Sequence, residues 1–145
     1  MAFKIYIAGA YADQVRVARC FEMVRGTAEY NGVPVDLELA HDWLKLIGDN
    51  EPEWEMPKKK RRDHARADIH RMETADVMWF CAPERGGRGS WFELGCAWKG
   101  GMPIVGSGPG MKGSIFCEMI DDDCQFPTDW LAFTHLCKLA REAAR

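Results

Sequence analysis

The sequence predicts an α/β domain, a parallel sheet with helices on both faces, and three observations carry that prediction. Short apolar runs without alternation, as in Phe3–Ala8 and Val77–Ala82, mark strands buried on both sides. The segments between such runs place apolar residues three and four apart, the spacing of one helical stripe. Strand and helix patterns alternate along the chain, which brings successive strands into parallel register.

The elements follow in order. Phe3 to Ala8 reads as the first strand, closed by Gly9. Val17, Phe21, Val24 and Ala28 lie on one stripe of a helix that Asn31-Gly32 is expected to end. Pro34 to Leu39 alternates as a second strand. His41 to Pro57 has no clean period and reads as a long loop with one helical turn, a length that suits a lid or binding loop. The basic run Lys58–Arg62 leads into a helix whose inner face would be Ala65, Ile69, Met72 and Ala75. Val77 to Ala82 is the central strand. After the loop Pro83–Ser90 a helix is expected to open at Ser90 and end at Gly100-Gly101. Met102–Gly106 is the next strand. Ile115, Phe116, Met119 and Ile120 fit a short helix, Cys124–Phe126 a short edge strand, and Trp130, Leu131, Leu136 and Leu139 a closing helix.

With 145 residues the chain fits one domain, residues 1–145. Charged residues make up 28% and the net charge is −3, so nothing global points to a nucleic-acid polymer or an anionic membrane. No apolar run approaches the roughly 18 residues that span a bilayer, and the N-terminus lacks a signal peptide's layout. The six cysteines form no CxxC pair and no metal-ligand spacing with the four histidines. They read as reduced, packed thiols, which implies a cytoplasmic protein; since no His/Cys/carboxylate cluster has metal spacing, no metal is expected, and no cofactor is either.

The strongest local signal is GGRGSWFELG, Gly86 to Gly95: a strand, a glycine-rich turn and a helix start. Exposed backbone N–H groups at such a turn cradle an anion. Ligands of open α/β sheets bind beyond the carboxyl ends of the strands, where Gly9-Ala10-Tyr11 and Pro83–Ser90 both fall. Glu93 admits two readings. In the first turn of a helix it is a carboxylate kept ionised, fit for nucleophilic attack. As the last member of Ser90-x-x-Glu93 it is only the return arm of a capping box.

Lys4-Ile5-Tyr6-Ile7-Ala8-Gly9, Ala67-Asp68, Ala75-Asp76-Val77, Gly89-Ser90-Trp91-Phe92-Glu93-Leu94-Gly95 and Met102-Pro103-Ile104-Val105 occur in the order and similar spacing of the nucleoside 2-deoxyribosyltransferase family, including the related 2′-deoxynucleoside 5′-monophosphate N-hydrolases. The sequence resembles that family from residue 3 to about residue 120. The resemblance implies a flavodoxin-like (Rossmann-like) five-stranded parallel sheet. It implies Glu93 as the nucleophile, Tyr6 hydrogen-bonded to it, and Asp68 contacting or assisting the departing base. It also implies a homodimer or higher homo-oligomer, in which the segment Gly113 to Ile120, including Cys117, completes a neighbour's pocket.

The chemistry agrees with those residue types. An N-glycosidic bond breaks through an oxocarbenium-like transition state, which a carboxylate can trap at the anomeric carbon. A nearby acid supplies the departing base with a proton. Water then gives hydrolysis and a second nucleobase gives transfer. Without the resemblance, Tyr6 reads more readily as a core tyrosine with its hydroxyl satisfied, and Asp68 as an ordinary exposed helix acid.

Substrate contacts are expected from Gly9, Tyr11, Trp43, Gly87, Arg88, Gly89, Ser90 and Cys117. Trp43, Trp54 and Trp91 could stack on a base or form core and pocket wall. Transferases acting on free nucleosides tend to carry an acid just before the Gly-Ser of this loop. Here Gly87-Arg88 stands there, with Arg85 near, a composition suited to a phosphate dianion and hence to a 5′-monophosphate. His41 and His64 are candidate base contacts, and His70 and His135 read as structural. PERGGRGSWFE also resembles, incompletely, the PGGxGTxxE loop of cytokinin-activating phosphoribohydrolases, because Glu84 and Arg85 separate Pro83 from Gly86. A nucleotide-sensing module on the same fold, without turnover, is the non-enzymatic alternative.

Overall fold

The computed structural model describes residues 1–47 and 55–145. The chain runs β1 (Phe3–Ala8), α1 (Gln14–Gly26), β2 (Glu29–Tyr30), β3 (Val33–Pro34), β4 (Leu37–Leu39), α2 (Trp43–Ile47), α3 (Lys58–Glu73), β5 (Val77–Cys81), α4 (Arg88–Lys99), β6 (Ile104–Ser107), β7 (Gln125–Phe126) and α5 (Asp129–Ala143). Short 3-10 turns include Pro109–Lys112 and Ile115–Met119 between β6 and β7.

Five strands form one parallel sheet in the order β4-β1-β5-β6-β7. Counted within the sheet, that is the 2-1-3-4-5 order of a flavodoxin-like fold. The strand order reverses between β1 and β5, the pair that aligns Tyr6 with Met78 and Ala8 with Phe80. Crevices at the carboxyl end of such a switch point are where doubly wound sheets bind ligands.

Burial explains why these segments became strands. Every residue of β5 is buried, as is every residue of β6, so neither shows polar alternation. Val17, Phe21 and Val24 of α1 and Phe133, Leu136 and Cys137 of α5 pack into the same core. Trp79, fully buried, lies against Phe133 with ring centroids 6.1 Å apart.

Three boundaries differ from the sequence reading. The first helix stops at Gly26, and Asn31-Gly32 instead turns the small β2–β3 hairpin. Both residues have positive φ, 52° and 71°, the geometry of a two-residue hairpin turn that Asn-Gly favours. The segment Pro34–Leu39 is therefore divided, and only Leu37–Leu39 joins the main sheet. Along α3, Met72 is buried, but Ala65 and His70 are exposed, so His70 has no structural packing role. The third shift, at the start of α4, bears on the site. Among the described residues no helix is long and apolar enough to cross a membrane.

Candidate functional site

Tyr6 sits in the middle of β1, 1% exposed, with its side chain leaving the sheet toward α4. There its phenol donates a hydrogen bond to the Glu93 carboxylate. Glu93 is presented by α4, which begins at Arg88 behind an N-cap at Gly87 rather than at Ser90. The reason is Gly87 itself, which adopts φ 72° and lies so close to Pro83 that a Cβ would stand 2.4 Å from the ring's Cγ. Only glycine makes that turn, and the helix then starts one residue later. Glu93 thus lies in the second turn, not the first. Ser90 is buried inside the first turn, and its hydroxyl donates to the Gly87 carbonyl at 2.7 Å. Ser90 is therefore not the N-cap that a capping box requires, and Glu93 is turned to the phenol.

A second polar pair adjoins the first. His41, directly after β4, lies with Nε2 3.0 Å from Oδ1 of Asp68 on α3. The imidazole is 9% exposed and the Asp68 side chain 28% exposed. The His41 ring is stacked beside the Tyr6 ring, with centroids 6.4 Å apart and planes inclined by 12°. The line Asp68–His41–Tyr6–Glu93 therefore draws one group each from α3, the end of β4, β1 and α4. It flanks the strand pair at the switch point. Its chemistry is that of a carboxylate held by a phenol beside an imidazole–carboxylate pair that can give or take a proton.

The glycine-rich loop turns at two successive glycines. Gly86 and Gly87 both have positive φ, 66° and 72°. Arg85, Arg88 and Gly89 are exposed around the opening of α4. Tyr11, 39% exposed, stands at the carboxyl edge beyond β1. Gly9 packs so tightly that a Cβ would meet Val17 Cγ2 at 2.6 Å, which ties this edge to α1. Ser90, by contrast, braces the loop from within, because its hydroxyl is turned to backbone.

The aromatic candidates sort by packing. Trp43 is buried against Phe21 and donates its indole N–H to the Ile7 carbonyl at 2.8 Å. It packs as core, since its polar atom is bonded inside the chain and the ring is buried. Trp91 packs edge-on to Phe80 and donates to the Gly86 carbonyl, so it is a wall of the loop. Trp54 lies outside the described residues. Cys117 is fully buried in its own chain, with burial pushing its thiol pKa up. The outward large apolar side chains of that segment are Ile115, Phe116 and Met119.

A cavity of about 720 Å³ opens between the Pro83–Gly86 loop, α4 and the 113–120 segment. Its walls include Trp91, Phe92, Trp98, Phe116 and Met119, while Tyr6 and Glu93 are not among them. This apolar hollow is beside the polar line rather than on it. His64 is half-buried on α3.

Sequence reasoning under-ranked His41. A single histidine in an aperiodic stretch carries no local signal, and both its neighbours, Tyr6 and Asp68, come from distant segments. A second network, unforeseen, lies under the carboxyl edge. Arg16 donates to both oxygens of Asp129 and to the carbonyls of Ala82 and Ser107. Burial opposes ionisation of Asp129, but the Arg16 and Ser107 hydrogen bonds outweigh it and hold the carboxyl below its ordinary range. No protein-family model matches this chain, and no curated protein matches it in sequence.

Proposed function

We propose that this chain is an enzyme that cleaves the N-glycosidic bond of a nucleoside or nucleoside 5′-monophosphate, in the manner of nucleoside 2-deoxyribosyltransferases. The observation that carries the reading is the Tyr6–Glu93 hydrogen bond beside the His41–Asp68 pair. The carboxylate of Glu93 attacks C1′, the C1′–N bond breaks with its electron pair going to the base, and a proton from the His41–Asp68 pair neutralises the departing nitrogen. Tyr6 fixes the attacking oxygen through its phenol. Water attacks the resulting ester to give the free sugar, or a second base attacks it to give transfer.

The exposed Arg85 and Arg88, beside backbone turned by Gly86 and Gly87, support a 5′-phosphate on the sugar. A homodimer is the expected state. Phe92, Trp98, Ile115, Phe116 and Met119 are 66%, 48%, 80%, 61% and 44% exposed on and around the apolar cavity, a density of outward apolar side chains that suits a covered face. A second copy over this face would cover those side chains. Light scattering should give twice the chain mass, and Phe116→Glu should return the monomer mass; a wild-type monomer removes that part of the reading. Six free thiols suit a reducing cytoplasm.

The direct test is release of free base from deoxynucleosides, ribonucleosides and their monophosphates, compared between wild type and Glu93→Gln. The wild type should release base and the variant should not. No release from any substrate by the wild type, or equal release by the variant, removes the assignment. Stabilisation by nucleotide without turnover would point to a binding module instead.

A further inference from the structure

Under the carboxyl ends of β5 and β6 lie three donor groups that the proposed reaction does not use. They are Cys20 on α1, Cys81 at the end of β5 and Asp129 at the start of α5, and one ligand atom from each falls within 4.8 Å of the other two. Cys20 and Cys81 are 0% and 1% exposed, and their sulfurs are 3.7 Å apart. We propose that this cluster is a structural binding site for a thiophilic divalent cation of the zinc type.

The sulfur spacing is that of a formed site. Two thiolates bound to one tetrahedral zinc at about 2.3 Å each stand about 3.8 Å apart. The backbone therefore already holds the two sulfurs at the length of a tetrahedral edge. A carboxylate oxygen supplies the third donor, and two thiolates with one carboxylate suit a borderline-soft ion. The donors come from positions 20, 81 and 129, on three elements, so no local spacing reveals them.

The surroundings match what a ligating carboxylate needs. Asp129 Oδ1 accepts from Arg16 Nη2 at 2.8 Å and from the Ser107 hydroxyl at 2.7 Å, and Oδ2 accepts from Arg16 Nε at 2.8 Å. Ser107 is itself held by the Trp79 indole N–H at 2.9 Å. Ordered outer partners of this kind fix a ligand's orientation. Charge also balances. Binding a divalent cation releases the two thiol protons, and the two thiolates cancel the charge of the ion. Asp129 and Arg16 already cancel one another, so the buried group is neutral with the metal bound.

The test uses the full chain expressed in zinc-supplemented cells and purified under reductant. About one zinc per chain should survive dialysis, and Cys20→Ser and Cys81→Ser should each lose it, whereas Cys96→Ser should retain it. Because either core variant could fail to fold, the chelator-treated wild type is also titrated with cadmium. Ultraviolet absorption from thiolate-to-cadmium charge transfer should saturate at one equivalent. Ser107→Ala, which leaves all three donors in place, should weaken cadmium binding about tenfold. The proposal is overturned by protein without zinc that shows no saturating cadmium absorption, or by saturation that persists in the Cys20→Ser, Cys81→Ser double variant. In that event the cluster is a hydrogen-bonded pair of thiols and nothing more. Base release is not read in any arm, so the outcome is separable from the proposed reaction.

Discussion

Tyr6 and Glu93, 87 residues apart, are joined by a hydrogen bond from phenol to carboxylate, and this bond links the first strand to the helix that follows the glycine-rich loop. A carboxylate so held has an oxygen oriented by the protein. Tyr6→Phe keeps the ring in a position only 1% exposed, so packing should survive. Losing a hydrogen bond to a charged group costs about 1.5–3 kcal/mol, which corresponds to roughly a tenfold to hundredfold fall in turnover. The drop should lie in kcat more than in KM, because in the proposed reaction the bond orients the attacking group and does not grip substrate. Steady-state base release by Tyr6→Phe checks this, and an unchanged kcat would show that the bond is only structural.

The His41–Asp68 pair should matter according to how badly the base needs help in leaving. His41→Ala should slow release of a natural base by on the order of 10²–10⁴-fold, the usual scale of general acid catalysis. With an activated leaving group that departs without a proton, the loss should shrink strongly. Glu93→Gln should stay inactive on both substrates. Equal losses on the natural and activated substrates would place His41 outside the proton path. It would then be a packing partner of Tyr6, against which its ring is stacked.

The flavodoxin-like sheet was legible because strands buried on both faces must be apolar throughout, as Val77–Cys81 is. The residues Tyr6, Asp68 and Glu93 stood out only as an ordered set. What stayed hidden was what depends on distant neighbours. Trp43 follows a strand, as a pocket tryptophan does, and only the Ile7 carbonyl and the Phe21 ring show it to be core. Asn31-Gly32 stops a helix or turns a hairpin with equal local merit, and Val33–Pro34 pairing with Glu29–Tyr30 decides it. Ser90 and Glu93 have the spacing of a capping box, yet the helix starts before Ser90 because Gly87 takes a left-handed turn.

That left-handed turn makes a sharp prediction about two neighbouring glycines. At Gly87 a methyl group would lie 2.4 Å from Pro83 Cγ and 2.8 Å from the Ser90 hydroxyl, at a φ of 72°. Gly87→Ala should therefore destabilise the fold by about 2–4 kcal/mol, combining left-handed strain with a forced shift of the loop. At Gly89 a Cβ meets nothing within 4 Å. Gly89→Ala should leave stability within about 0.5 kcal/mol of wild type. Urea midpoints at constant slope would measure both. Similar costs at the two positions would contradict the loop geometry.

The last prediction concerns pH and His135. The ring is half-buried on α5, its centroid 5.1 Å from that of Phe126, with Nε2 3.8 Å from the Cys124 sulfur. Burial, followed by the neighbouring Lys138 charge, lowers its pKa below the ordinary 6.5, against smaller opposing effects of Asp123 and Glu142. A histidine whose folded pKa is depressed resists protonation more in the native state than in the unfolded chain. Its contribution is therefore fully present above about pH 6.5 and is withdrawn as pH falls through that value. Thermal midpoints of wild type should drop between pH 7.5 and pH 5.5 by more than those of His135→Gln, which has no proton to gain. Burial of the ring is only partial, so the difference should be modest and directional. A larger drop in the variant would reverse the sign, and would mean that the imidazolium is favoured by Asp123 and Glu142 over its apolar setting.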